Sequence, residues 1–185
     1  MNDVTGMIDA EFEAFVRRYQ DMVYATAVRL LGNPAEAEDV AQTVFLRAFQ
    51  RFDEVGSSPA AVGWLKTVTR NACLNHLSRY RARWRFFSEI ARPGAEGSET
   101  AFESELVAGG SPASDVEQSD LRDQLERALQ RLPDHQRVPL VLFHFENVSY
   151  QEIANSLGVS VGKVKTDIHR GREALKRLLP DHAPR

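Results

Sequence analysis

Residues 149–179, SYQEIANSLGVSVGKVKTDIHRGREALKRLL, read as a short helix, a tight turn and a second, basic helix. Ser149 followed by Glu152 is a capping box, Gly158 supplies the positive φ that ends the first helix, and Ser160 caps the second. Ala154 is small enough for the two helices to approach, and Val164 packs back between them. That is the build of a helix-turn-helix that reads duplex DNA. At about 100° per residue, Val161, Val164, Ile168, Gly171, Leu175 and Leu178 fall on one stripe of the second helix. Lys163, Thr166, Arg170 and Arg177 lie opposite, on the face expected to enter a groove. Lys165, His169, Arg172 and Lys176 flank it, where long cationic side chains meet phosphates. A solvated helical hairpin would also carry surface lysines and arginines, but it does not require cap, turn and stripe to agree.

The rest of the chain tests whether DNA is a sensible partner, since the net charge over 185 residues is −3. Residues 1–85 hold 11 Lys and Arg against 10 Asp and Glu, residues 86–120 hold 1 against 8, and residues 121–185 hold 11 against 8. An acidic middle therefore hides two mildly basic ends. Gly94, Gly97, Gly109, Gly110, Pro93, Pro112 and several serines in that middle predict a flexible linker. The expected organisation is a domain over 1–88, an acidic linker over 89–118 and a helix-turn-helix domain over 119–185. Strand-like alternation is nearly absent, so the fold class is all-α, two small helical domains joined by the linker. No apolar run approaches the ~20 residues needed to cross a bilayer, and no signal peptide or lipidation motif is evident at the N-terminus. With a single cysteine, Cys73, no intramolecular disulfide is available. Cytoplasm is the expected compartment.

In the first domain, Ile8, Phe12, Phe15, Val16, Tyr19, Met22 and Val23 recur at helical spacing and predict a helix running to about Leu31, ended by Gly32. Asn33 and Pro34 then open a second helix. Its broad apolar face comprises Ala37, Val40, Ala41, Val44, Phe45, Ala48, Phe49 and Phe52, opposite Asp39, Gln42, Thr43, Leu46, Arg47 and Gln50. A lone exposed leucine is usually without meaning, but Leu46 amid Asp39, Gln42 and Arg47 has the make-up of a protein-contact anchor. A third helix is expected from about Ala60, with Trp64, Leu65, Val68 and Ala72 on one side. No acidic residue occurs between Glu54 and Glu89, while Lys66, Arg70, Arg79, Arg81, Arg83 and Arg85 accumulate among Tyr80, Trp84, Phe86 and Phe87. Cations for phosphates and aromatic faces for unstacked bases suit nucleic acid. A basic helix end whose aromatics close the core is the plainer alternative.

Three stretches, GNPAEAEDVAQTVFLRAFQRF, WLKTVTRNACLNHLSR and LPDHQRVPLVLFHFENVSYQEIANSLGVSVGKVKTDIHRGREALKRL, resemble in order the signature segments of the extracytoplasmic-function (ECF) sigma factors, promoter-specificity subunits of bacterial RNA polymerase. The resemblance spans nearly the whole chain. It implies that Asp39, Gln42, Thr43, Leu46 and Arg47 dock on the clamp helices of the largest catalytic subunit of core RNA polymerase. It implies minus-ten promoter DNA contacts by Lys66, Arg70, Asn71, Asn75, His76 and Arg79, with Gly56, Ser57 and Ser58 in the loop that takes a flipped base. Minus-thirty-five contacts would come from Ser160, Lys163, Lys165, Thr166, His169, Arg170 and Arg172. The linker would run through the polymerase cleft toward the RNA exit path, and an anti-sigma factor is the implied antagonist. Two residues depart from expectation. Pro139 sits in a helical stretch that it should kink or delay if it lies past the first turn. Asp167 interrupts the basic recognition helix, where it would tune base choice by repulsion.

Enzymatic chemistry finds no support, since there is no glycine-rich phosphate loop and no nucleophile-base motif. Neither cofactor nor metal is expected: Cys73 and His76 could form half a metal site, but no second pair has suitable spacing. The competing readings are a sigma-like mimic that sequesters an anti-sigma regulator and a stand-alone helix-turn-helix regulator. The first has no need of the basic residues of the third and last helices, and the second leaves the Gly32–Phe52 segment unexplained.

Overall fold

A single glycine sets where the first helix stops. Helix α1 (Asn2–Leu31) ends at Gly32, whose φ of +67° is left-handed and whose N–H closes on the Val28 carbonyl at 2.7 Å. The side chain of Asn33 accepts from the Ala35 N–H, and Pro34 opens α2 (Pro34–Gln50), the start expected from sequence. A single turn, α3 (Phe52–Val55), leads to α4 (Ala61–Ser78). The second half comprises α5 (Asp115–Gln130), α6 (Asp134–His144), α7 (Tyr150–Leu157) and α8 (Val161–Leu178). This computed structural model describes residues 2–78 and 115–179, among which there are eight helices and no strand. Arg79, the aromatic run to Phe87 and most of the acidic linker lie outside the described residues.

Helices α1, α2 and α4 pack as a three-helix bundle around Val23, Ala27, Leu30, Ala37, Val44, Leu65 and Cys73, all of them buried. The inward face of α2 is narrower than its apolar pattern suggests. Ala37, Val40, Val44 and Ala48 are buried, but Ala41 and Phe45 are half-buried and Phe49 is 45% exposed. Small side chains at 37 and 48 leave a narrow seam against α1 and α4, and the next apolar column falls on the rim. There the Phe49 ring meets Phe12 edge-on at 4.9 Å. Cys73 is enclosed, and its thiol is pushed up to about 12 by burial and then by the Glu146 carboxylate, which makes it a packing residue.

In the second half, α6 is the central strut, with Val138, Pro139, Leu140, Val141 and Leu142 buried. Pro139 does not delay the helix. It removes the one N–H that would bond the His135 carbonyl, and the helix still runs from Asp134 to His144 because its apolar sides are covered. The capping box of Ser149 and Glu152, the left-handed Gly158 and the Ser160 cap are all present, as the sequence requires. Helix α8 crosses α6 at Gly171, where an added Cβ would lie 2.9 Å from Leu140 Cδ1 and 3.3 Å from the Gln136 carbonyl oxygen.

The two halves are packed against each other, and one continuous cluster of buried residues runs through both. The Arg137 guanidinium, 3% exposed, donates from Nη2 to the Leu31 carbonyl and from Nη1 to the Leu132 carbonyl, each at 2.8 Å. Nη2 also reaches Asp134 at 2.7 Å. Arg29 bonds Glu126 at 2.6 Å through Nε and lies over the Phe145 ring at 4.8 Å. Thr26 donates to Glu146 at 3.5 Å.

The α6–α8 crossing has no room for a branched side chain. Gly171→Val should lower stability by about 1–3 kcal/mol through overpacking, read from the shift in urea midpoint at unchanged slope.

Candidate nucleic-acid interface

Helix propensity and capping fix α8, and its burial stripe decides which cations face outward. Val164, Ile168, Gly171 and Leu175 are buried, so Lys165, Thr166, His169, Arg170, Lys176 and Arg177 form the exposed face. Thr166 spends its hydroxyl proton on the Gly162 carbonyl at 2.9 Å, and Ser160 Oγ accepts from the Lys163 N–H at 3.2 Å. Two expected readers are turned aside. Lys163 Nζ lies 2.6 Å from both carboxylate oxygens of Asp167, and Asp167 is buried, not displayed toward a groove as the sequence reading had it. One step round from Ile168, Asp167 falls inside the stripe's edge, and burial there requires a paired cation. Arg172 donates from Nε at 3.1 Å and Nη2 at 2.9 Å to His144 Nε2 on α6. As an acceptor this imidazole is neutral.

On α4, Lys66, Asn71 and Asn75 are exposed and Arg70 is half-buried, with Asn75 on the opposite side of the helix from Lys66. His76 points elsewhere: its Nε2 lies 3.1 Å from Glu36 and ties α4 to α2. In the preceding loop Ser57 is exposed, Gly56 sits against the Phe52 ring, and Ser58 Oγ accepts from the Ala60 N–H at 3.2 Å to start α4. The outer face of α2 presents Asp39, Gln42, Thr43, Leu46 and Arg47, all exposed, with Leu46 at 60%. Leu46 is not isolated. With Phe49, Phe45, Phe12, Val16 and Tyr24 it lines an apolar groove between α1 and α2. Sequence periodicity assigned Phe12, Phe45 and Phe49 to the core. Their excess over what a three-helix core can hold was the available signal. The partner of Arg172 had no sequence signal, since it depends on the crossing of α6 and α8.

Burial and, secondarily, Arg172 hold His144 below the ordinary imidazole value of 6.5, and burial also lowers His135 against the pull of Asp167. Among the described residues, no group of three or more His, Cys, Asp or Glu side chains is placed to hold a metal, and no helix is long and apolar enough to cross a membrane. The arrangement can bind anions along two separate helices and an apolar partner on a third.

Residues 15–84 match the model of Sigma-70 region 2, and residues 122–175 match that of Sigma-70 region 4. The ECF RNA polymerase sigma factor SigW of Bacillus subtilis is 34% identical over 92% of this chain and 89% of its own. The ECF RNA polymerase sigma factor SigE of Mycolicibacterium smegmatis is 33% identical over 98% of this chain and 67% of its own. A solved structure of the sigma factor RpoE with the anti-sigma factor NepR from Bartonella quintana covers 93% of this chain and 98% of its own, with TM-score 0.48 and 26% identity.

Because His144 and His135 hold fewer protons folded than unfolded, stability should be full above about pH 6.5 and fall as the pH drops below it. The loss is at most ~1.4 kcal/mol per pH unit for each ring. Urea midpoints between about pH 7.5 and about pH 5.5 should fall for the native chain and fall less for a His135→Gln/His144→Gln double variant.

Proposed function

The chain belongs to the ECF sigma factors of RNA polymerase, and from that membership we propose how its surfaces divide the work of the family. Its function is to bind core RNA polymerase and direct initiation at promoters. In our reading the domain over 1–88 holds the polymerase and the minus-ten element, the acidic segment 89–118 threads the polymerase cleft, and the domain over 119–185 holds the minus-thirty-five element. A cytoplasmic location and an anti-sigma antagonist complete the reading.

The observation that carries the division is Leu46, 60% exposed at the mouth of an apolar groove and ringed by Asp39, Gln42, Thr43 and Arg47. A solvated apolar rim with polar neighbours is the make-up of a binding hot spot. Docking through α2 leaves α4 to meet melted DNA through Lys66, Arg70, Asn71 and Asn75, while α8 meets duplex through Lys165, Thr166, His169 and Arg170. Lys163 and Arg172, drawn onto Asp167 and His144, contribute charge near the groove more than direct base contact. Neither a mimic nor a stand-alone regulator needs all three surfaces.

Core polymerase supplemented with this protein should initiate at discrete sites on genomic DNA, mapped by transcript 5′ ends. No new start sites over core alone would overturn the reading. Leu46→Asp should weaken binding to core polymerase by about 2 kcal/mol or more, with the thermal melt nearly unchanged. Arg170→Ala should reduce binding to the upstream duplex element, whereas Asn75→Ala should spare closed complexes and slow opening. Permanganate footprints on one matched promoter separate the two defects.

A further inference from the structure

Among the described residues, helix α8 carries two lysine–carboxylate pairs, and they differ in what DNA could do to them. Lys176 reaches Glu173 at 3.1 Å with both side chains in solvent, 75% and 48% exposed. Lys176 can leave for a phosphate, because water then covers Glu173. Lys163 lies 2.6 Å from both oxygens of Asp167, whose side chain is 5% exposed. Its departure would strand a buried carboxylate without its cation, at far greater cost. His135 of α6 feels the charge of both members, so the pair sits at the α6–α8 contact.

Helix stability does not account for this pair. Lys163 stands in the first turn of α8, after the Ser160 cap, where the helix dipole disfavours a cation. An acid four residues C-terminal to a lysine is also the weaker order for a helical ion pair. The first turn of a recognition helix is, however, the one that comes nearest to the bases. Lys163 brings its charge to the groove with a counter-charge already attached.

We propose that Asp167 is a specificity-determining residue of α8: it keeps the Lys163 ammonium off DNA phosphates and so lowers affinity for duplex that lacks the minus-thirty-five element. This rests on the assignment of α8 to duplex DNA. Binding to non-matching duplex is carried by phosphate contacts, and a lysine free to swing can settle on any phosphate in reach. On the matched element α8 is seated with its first turn toward base edges, where a freed Lys163 gains less. Asp167 acts through Lys163, as a positioning residue.

The test measures binding of the full chain to two fluorescein-labelled duplexes by anisotropy. One has random sequence, and the other carries the region upstream of a start site mapped with core polymerase and this protein. Asp167→Asn keeps the shape of the side chain and frees Lys163. It should bind the random duplex at least about threefold tighter at about 50 mM salt, with a slope of log affinity against log salt steeper by about 0.9, the value for one added phosphate contact. Affinity for the upstream duplex should rise less, so that the preference for it falls. Lys163→Met/Asp167→Asn should return to the native slope and preference. Asp167→Ala takes the place of Asp167→Asn if circular dichroism shows that the latter does not fold. A folded variant with the native slope, an equal gain on both duplexes, or a gain that survives Lys163→Met would overturn the proposal. Arg170→Ala tests the parent assignment by itself. If it leaves affinity for the upstream duplex at the native value, α8 is not the reader and the proposal falls with it. If it weakens that affinity while Asp167→Asn keeps the native slope, the assignment stands and the restraint of Lys163 alone is refuted.

Discussion

Arg137 is a charged side chain with almost no access to solvent, and the arrangement of the two halves turns on how its Nη1 and Nη2 donors are satisfied, its Nε being buried without a hydrogen-bond partner. A buried cation is tolerable only when its donors meet strong acceptors. Two of those acceptors are carbonyls at helix ends, Leu31 from α1 and Leu132 from the turn before α6, groups with no partner inside their own helices. One side chain thus meets two needs of the backbone. Access to the end of α1 depends on Gly32: an added Cβ would lie 2.5 Å from Arg137 Cζ, and the left-handed φ disfavours any other residue. The glycine that stops the first helix is also the notch that admits the arginine.

Local features were legible in the sequence because their physics is local. The Asn33–Pro34 start, the capping box at Ser149 and Glu152, the left-handed Gly158 and the α8 stripe each depend on residues within a turn or two of one another, and all are present. The features that eluded it depend on which helix crosses which, and where. Phe49 has the periodicity of a core residue, but the bundle closes on Ala37 and Ala48 and leaves it on the rim. Asp167 reads as a reader on a helical wheel, yet the proximity of α6 encloses it and recruits Lys163. Arg137 looks like any basic residue in an amphipathic helix. Nothing within four residues of it foretells a carbonyl 106 positions away.

The same geometry sorts the cations of α8 into two kinds. Lys165 and Arg170 stand in solvent, where long-range attraction to DNA is strong and salt-dependent. Lys163 is held by Asp167 of its own helix and Arg172 by His144 of α6; both lose entropy, and the second contact ties α8 to α6. A basic helix can therefore be partly a packing element, and counting its charges overstates what it offers a phosphate backbone.

The separations across the seam also set a timetable. Leu31 and Arg137 are 106 residues apart, Arg29 and Glu126 are 97, and Thr26 and Glu146 are 120. The bundle of α1, α2 and α4 is complete by Ser78. At a synthesis rate of about 5–20 residues per second, roughly 5–20 s separate the emergence of Leu31 from that of the arginine that covers its carbonyl. For that interval each new chain displays its first half alone on the ribosome, with α4 uncovered. The halves can meet only after the second has been made.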